Sequence, residues 1–312
     1  MLLFILMSRT SAGILAVAAA QIIWGFTTPA LKIALGEIPP FSALFIRFGI
    51  ASLIALPLFF SRPYQRLSRK DLWQLAIITT FGLSLHMAFF AFGLSLSKVV
   101  VAALIIAIAP AVDSVAATVF LKEKSDFIHR LGMLVGFFGS LLLILHPILI
   151  GKDSLSMDIL GTTFLLIAVV LNTVFVVGSK ELFAKYTPLT VSSFSFLLAT
   201  ATFLPFALFE TLIQPTWLTL VSSNALLAIV FCGVFASFAG YLLFEWGLSR
   251  SKVEIIAPLN YLTPIIAFLV GIFLLEEKVD PLILISGLVI ILGVWLATFQ
   301  KPHHHLSKRH RG

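Results

Sequence analysis

The chain carries little charge, a single cysteine, and no motif for hydrolysis or nucleotide binding. Only 11% of its 312 residues are charged, against about 25% in a soluble domain. Together with 60% hydrophobic residues, this excludes a water-soluble globule and points to an all-α integral membrane protein. The single cysteine, Cys232, excludes an intrachain disulfide; inside an apolar run it reads as a small apolar filler. The spans hold no His-Glu-x2-His, no Gly-x-Ser-x-Gly, no P-loop and no paired carboxylates on one helix. Metal-assisted hydrolysis, acyl transfer and ATP-driven work therefore lack their residues, and no cofactor or metal is expected. The apolar start Met1–Met7 has neither a preceding basic residue nor a small-residue cleavage site. It reads as a short interfacial segment rather than a secretory signal, with a start at Met7 as the alternative.

What the chain does have is an internal repeat. Gly93-Leu94-Ser95-Leu96-Ser97-Lys98-Val99 returns as Gly247-Leu248-Ser249-Arg250-Ser251-Lys252-Val253, 154 residues later. At the same offset Pro110 falls on Pro264, Glu123-Lys124 on Glu277-Lys278, and Gly139 on Gly293. Nearer the start the offset is 148: Gly13 falls on Gly161, Lys32 on Lys180 and Pro40 on Pro188. Extra residues in the loop 210–223 account for the change.

A helix needs roughly 20 apolar residues to span the hydrocarbon. Ten stretches qualify, at about 12–33, 41–61, 72–93, 98–120, 130–149, 158–179, 188–210, 224–246, 254–274 and 281–299. They divide into a first five-helix repeat, 12–149, a second, 158–299, and a basic tail, 300–312. With the N-terminus inside, sixteen of the 21 Lys and Arg fall on the inner side; Lys32, Lys98, Lys152 and Lys278 fall outside, and Arg47 lies within helix 2. This bias places both termini in the cytoplasm. The net charge of +7 is thereby a topology signal at the ends of spans, and nucleic acid is not an expected partner. An odd number of spans per repeat makes the two copies antiparallel, the architecture of an alternating-access carrier.

Helix 1 carries Trp24-Gly25, Pro29 and Lys32, and helices 4 and 9 end in Leu121-Lys122-Glu123-Lys124 and Leu275-Glu276-Glu277-Lys278. In this combination the chain, over residues 12–299, resembles the EamA-type branch of the drug/metabolite transporter superfamily. The resemblance implies a ten-helix carrier of the bacterial inner membrane that exports, or sometimes imports, small metabolites, amino acids most often. It also implies a central cavity lined by helices 1, 3, 4, 6, 8 and 9, with helices 5 and 10 behind. The second copy departs from the first motif, since Asn172-Thr173 stands for Trp-Gly and Val177 for Pro29.

Polar residues that break the internal symmetry are the candidates for solute binding, because a charge at mid-bilayer costs about 2.5–3.5 kcal/mol and needs a wet cavity or a partner. Arg47, matched by Ser195, suits a solute carboxylate; a structural salt bridge or snorkelling is the alternative. Asp113, matched by Ala267, lies one turn beyond Pro110 and suits an amine or a proton; its alternative is a static ion pair. His86, matched by Gly240, suits proton relay or donation to solute, or is a satisfied buried histidine. Glu245 reads as the partner of Arg250 or Lys252. Trp24, Thr28 and Lys32 share one helical face, with Asn172 at the level of Trp24. Asn260 and Tyr261, between Pro258 and Pro264, suggest a locally broken helix, and Tyr241 adds an aromatic wall. Pro110 and Pro264 are matched hinge candidates. The glycines of helix 5, Gly132, Gly136 and Gly139, are expected to meet Gly287 and Gly293, and Glu277-Lys278 to form an ion pair at a helix end.

The reading that follows is a secondary carrier, an exporter of amino acids or related small metabolites, monomeric or homodimeric in the lipid bilayer, with protons as a candidate coupling ion. The competing classes are an integral-membrane enzyme acting on a lipid-linked substrate, which would need clustered Asp or His at a membrane face, and a non-transporting sensor or scaffold.

Overall fold

The computed structural model describes residues 9–61, 65, 67–109, 112, 116, 127–150, 157–248 and 257–298. Among them run ten helical segments of eight residues or more, a single helical turn at Trp217–Leu220 and no strand, as a bilayer demands of backbone that must satisfy its own N–H and C=O groups. In order they are α1 (Arg9–Leu35), α2 (Pro40–Phe60), α3 (Arg69–Leu96), α4 (described over Val99–Ile106), α5 (Phe127–Leu149), α6 (Met157–Lys185), α7 (Pro188–Ile213), α8 (223–248), α9 (257–273) and α10 (Pro281–Thr298). α1, α2, α3, α6, α7 and α8 are each long and apolar enough to cross a membrane, and α5, α9 and α10 contain shorter apolar stretches. Prolines open α2 and α7 at matched positions, Pro40 and Pro188, where the missing N–H costs nothing.

The inversion is visible in how each helix meets its repeat mate. On α2 and α7, Ser42 bonds Glu210, Ser52 bonds Thr200 and Phe59 packs on Phe194. As the first number rises the second falls, so the mates are antiparallel. α5 and α10 behave likewise: Gly136 lies against Gly293, and Gly139 against Ile290. Two-fold mates that run antiparallel define inverted repeats. The crossed pairs repeat as well. A methyl on Gly93 of α3 would lie 2.9 Å from the Gly161 carbonyl of α6, and one on Gly247 of α8 would lie 2.6 Å from the Gly13 carbonyl of α1. The same two glycines in each copy thus bring the same two helices together. Among the described residues the molecule is all-α, its ten longer helical segments arranged as two inverted sets of five.

One expected contact is different. Gly287 faces the Leu104 side chain of α4, not α5, because one turn of α10 packs over the start of α4.

Large apolar side chains face outward as well as into the core, and some polar ones are enclosed. Leu53, Leu212 and Phe273 are largely exposed, while Gln21, Arg47 and Ser237 are buried. A central aromatic layer, Phe48, Phe196 and Phe203, is fully buried between α2 and α7. Both α3 and α8 widen to π-helix at matched places, Thr79–Leu85 and Cys232–Ala239. Such turns displace a carbonyl from the regular ladder and tend to mark functional positions.

Candidate functional site

The α1 face expected to bind solute is divided among neighbours. The Trp24 indole donates from Nε1 to the Ala236 carbonyl at 2.9 Å, within the π segment of α8. Its ring meets Tyr241 edge-on at 5.4 Å and Phe244 at 5.2 Å. Thr28 is buried. The Lys32 ammonium donates to the carbonyls of Leu94 at 2.7 Å, Ser95 at 3.1 Å and Ser97 at 2.7 Å. An ammonium has three protons, and all three are taken by the C-terminal end of α3. A cation there satisfies orphan carbonyls and the helix dipole together. The geometry therefore makes Lys32 a cap rather than a solute ligand.

Arg47 sits at the meeting of α2, α3 and α8 and is 2% exposed. Its Nε donates to Ser237 Oγ at 2.8 Å, one terminal nitrogen lies 3.8 Å from Met87 Sδ, and the guanidinium lies 5.5 Å from the Phe48 ring centre. Among the described residues no carboxylate pairs with it. Next to Met87, His86 donates from Nδ1 to the Ala168 carbonyl of α6 at 2.7 Å. A carbonyl only accepts, so Nδ1 carries the proton and Nε2 is left as an acceptor.

A second polar group joins α1 to α9. Gln21 Nε2 donates to Asn260 Oδ1 at 2.7 Å, and Thr263 Oγ1 donates to Gln21 Oε1 at 2.6 Å. Asn260 lies in a 3-10 turn, Ala257–Tyr261, that precedes the regular part of α9. Tyr261 packs against the core and Pro264 is buried one residue after Thr263. Gln21 was not among the sequence candidates. Its signal was available: a lone amide in an apolar run, matched by Val169 in the other repeat.

On α8, Ser237, Tyr241 and Glu245 are spaced by four residues and share a face. Ser237 meets Arg47, Tyr241 stands between Trp24 and Phe196 with ring centres 5.4 and 5.7 Å away, and Glu245 meets Ser192 of α7. Phe196 in turn packs on Phe48 beneath Arg47. The structure thus gathers Trp24, Arg47 and Tyr241 into one contact chain between the repeats, with His86 beside it. Asn172 is half-buried on α6 and has no hydrogen-bond partner among the described residues. Asp113 and Pro110 lie outside the described residues, as do Glu123-Lys124, Arg250 and Lys252.

The ends of helices carry the remaining charges. Glu277 accepts from the backbone N–H groups of Val99 at 2.7 Å and Val100 at 2.8 Å. It caps α4 of the opposite repeat, which corrects the expectation of an ion pair with Lys278; the Lys278 carbonyl instead accepts from Lys98 Nζ at 2.6 Å. Glu210 caps α2 through Phe41 and Ser42, and Glu37 meets Ser222 at the start of α8. All three caps lie on the face reached by the end of α1. A depression of about 630 Å³ opens there, lined by Glu37, Glu210 and Trp217; none of the expected site residues lines it. Among the described residues no cluster of His, Cys, Asp or Glu is suited to a metal.

Comparison with known proteins agrees with this fold. The model of the EamA-like transporter family matches residues 11–145 and 159–299. Two proteins of Archaeoglobus fulgidus, each named uncharacterized transporter, are 24% and 27% identical, covering 88% and 91% of this chain and 94% and 96% of theirs. A protein of Streptantibioticus cattleyicolor named probable terminal-alkyne amino-acid exporter is 25% identical over 92% of this chain and 94% of its own. A solved crystal structure superposes with a TM-score of 0.63 at 21% identity, over 93% of this chain and 97% of that one; at that identity the likeness speaks for the fold. Two family segments on two inverted five-helix repeats leave one assignment: the chain belongs to the EamA-like transporter family, a family of membrane carriers and not of enzymes.

Proposed function

We propose that the chain is a secondary carrier that exports small solutes bearing a carboxylate, amino acids foremost, by alternating access. The observation that carries this reading is Arg47. A guanidinium that is 2% exposed, held by a serine hydroxyl and a thioether and without an anionic partner among the described residues, is costly unless an anion arrives. A carboxylate can take its remaining donors bidentately. Trp24 and Tyr241 supply aromatic walls, while His86 Nε2, Asn172 and the Gln21–Asn260 pair supply polar contacts to an amino group. Residues 12–149 and 158–299 act as the two rocking units, with Pro110 and Pro264 as matched hinges and Asp113 as a further ligand. The basic bias of the loops supports a bacterial inner-membrane location with both termini and the tail 300–312 cytoplasmic. The amino-acid class is also supported by the printed name of the Streptantibioticus cattleyicolor relative. The test is uptake of a panel of radiolabelled amino acids by proteoliposomes containing the purified chain. Saturable uptake of at least one, with competition by other carboxylates, is the expected result; no uptake above empty liposomes would overturn the reading.

A further inference from the structure

The solute cluster leaves one buried ionisable group unused. Glu245 lies two turns beyond Ser237 on the same face of α8 and is 8% exposed. Its contacts are two long hydrogen bonds from Ser192 Oγ, at 3.3 Å to Oε1 and 3.5 Å to Oε2. One hydroxyl shared between two oxygens is poor compensation for a buried carboxylate, which ordinarily requires a cation or several donors.

The helices packed on this part of α8 are α1 and α7. Residues 10–31 of α1 carry no titratable side chain, nor do residues 188–209 of α7. On α8 itself Tyr241 stands one turn away, and beyond it Ser237 leads to Arg47, eight residues along the helix from Glu245 or about 12 Å. Arg250 and Lys252 follow α8 in sequence and lie outside the described residues. Arg9 opens α1 and its side chain lies outside the described ones; residues 10–31 of α1 and 188–209 of α7 present no cation to Glu245. The matched position in the first repeat is Ala91, so the inverted scaffold does not need the carboxyl.

We propose that Glu245 is a proton-carrying group, and that solute movement is coupled to proton exchange at this carboxyl. In one half-cycle water on one face delivers a proton to an Oε atom, forming one O–H bond and neutralising the side chain. In the other half-cycle that bond breaks and the proton leaves to water on the opposite face. A neutral carboxyl can stay in the dry contact with Ser192 and the α1–α8 seam, whereas the carboxylate favours the conformation that admits water. Protonation is thereby a bias on the access equilibrium. Tyr241 places the group one turn from the solute cluster, so proton and solute occupancy act on the same helix. The proposal rests on the carrier reading but not on the identity of the solute.

The test uses the full chain in proteoliposomes with the pH dye pyranine sealed inside, and a mixture of the twenty protein amino acids as solute. In the wild type, radiolabelled amino-acid movement is expected to be accompanied by a change in lumenal pH. In Glu245→Gln the pH change is lost while downhill amino-acid movement continues. An equal pH change in both proteins, or none in a wild type that moves amino acids, would overturn the proposal. Infrared spectra between acid and alkaline pH read the group without any solute. The wild type is expected to show a protonated-carboxyl band that titrates and is missing from Glu245→Gln. Its absence, as for a carboxylate fixed in a static pair with Arg250, counts against the proposal even if no amino acid proves to be carried. Should Glu245→Gln not fold, Glu245→Asp decides: a shifted band and a shifted pH profile of uptake support the assignment, and unchanged ones contradict it.

Discussion

The indole of Trp24 lies against Gly240: a methyl there would come within 2.7 Å of Nε1. The counterparts of these two residues in the other repeat are Asn172 and His86. One crossing of the inverted pair therefore joins a large ring to no side chain, and the matched crossing has two polar side chains of middling size. Gly240→Ala is expected to lower stability by about 1–3 kcal/mol through overpacking, and Gly240→His to lower it further. Adding Trp24→Asn to Gly240→His recreates the other repeat's combination and should recover part of the loss, a coupling of about 1 kcal/mol or more. Thermal unfolding of wild type, Trp24→Asn, Gly240→His and the double variant in detergent measures it; strictly additive effects would count against the matched exchange.

Gln21 bonds both Asn260 and Thr263, joining α1 to α9. Gln21→Leu takes the donor from Asn260 and leaves Thr263 only the backbone carbonyl of residue 21, at 3.0 Å, and should cost about 1–3 kcal/mol. Removing Asn260 in the same protein should cost less than the sum of the two single losses, because the shared bond is counted once. Unfolding of the single and double variants provides the check.

Lys32→Met is expected to act on stability and not on recognition. Three carbonyls at the end of α3 lose their donor, at about 1–3 kcal/mol for stranded acceptors. The KM of a transported solute should stay at the wild-type value. A raised KM with unchanged stability would return Lys32 to the solute site.

Glu37 offers a pH signature. The backbone N–H of Ser222, and then its hydroxyl, hold the Glu37 carboxyl below its ordinary value. A lowered carboxylate pKa adds stability that is present above the unfolded value and is lost as the pH falls through the folded one. The difference in Tm between wild type and Glu37→Gln should therefore be constant from about pH 6 to 8, shrink as the pH falls through the ordinary carboxylate range and vanish only below the lowered folded value. A difference that grows as the pH falls would contradict the cap.

The fold was legible because glycine and proline recur at fixed offsets. Gly13, Gly93, Gly161 and Gly247 are read as a repeat in the sequence and appear in the structure as the two equivalent crossings. Ten spans and their inversion followed from apolar length and charge bias, both of which are linear properties of the chain. The partners of polar residues were not legible in the same way. Lys32 reads as part of a solute-facing stripe because nothing in sequence shows that the end of α3 lies across from it. Glu277 looked like half of an ion pair because its true partners, the N–H groups of Val99 and Val100, are backbone atoms of the other repeat. For Glu245 the sequence offers Arg250 or Lys252, both outside the described residues, and cannot show the contact with Ser192, 53 residues away. The π segments left no periodic trace, since a widened turn depends on what packs beside it.

The account's central claim is that the chain moves carboxylate-bearing solutes past Arg47. The direct measurement is counterflow in proteoliposomes, comparing an amino acid with its own amide, in wild type and in Arg47→Lys. The wild type should exchange the acid and discriminate against the amide. Arg47→Lys keeps the charge but loses the planar two-pronged geometry, and should fold as a monodisperse protein while losing most exchange of the acid. Equal transport of acid and amide by the wild type, or undiminished exchange by a folded Arg47→Lys, would contradict the account.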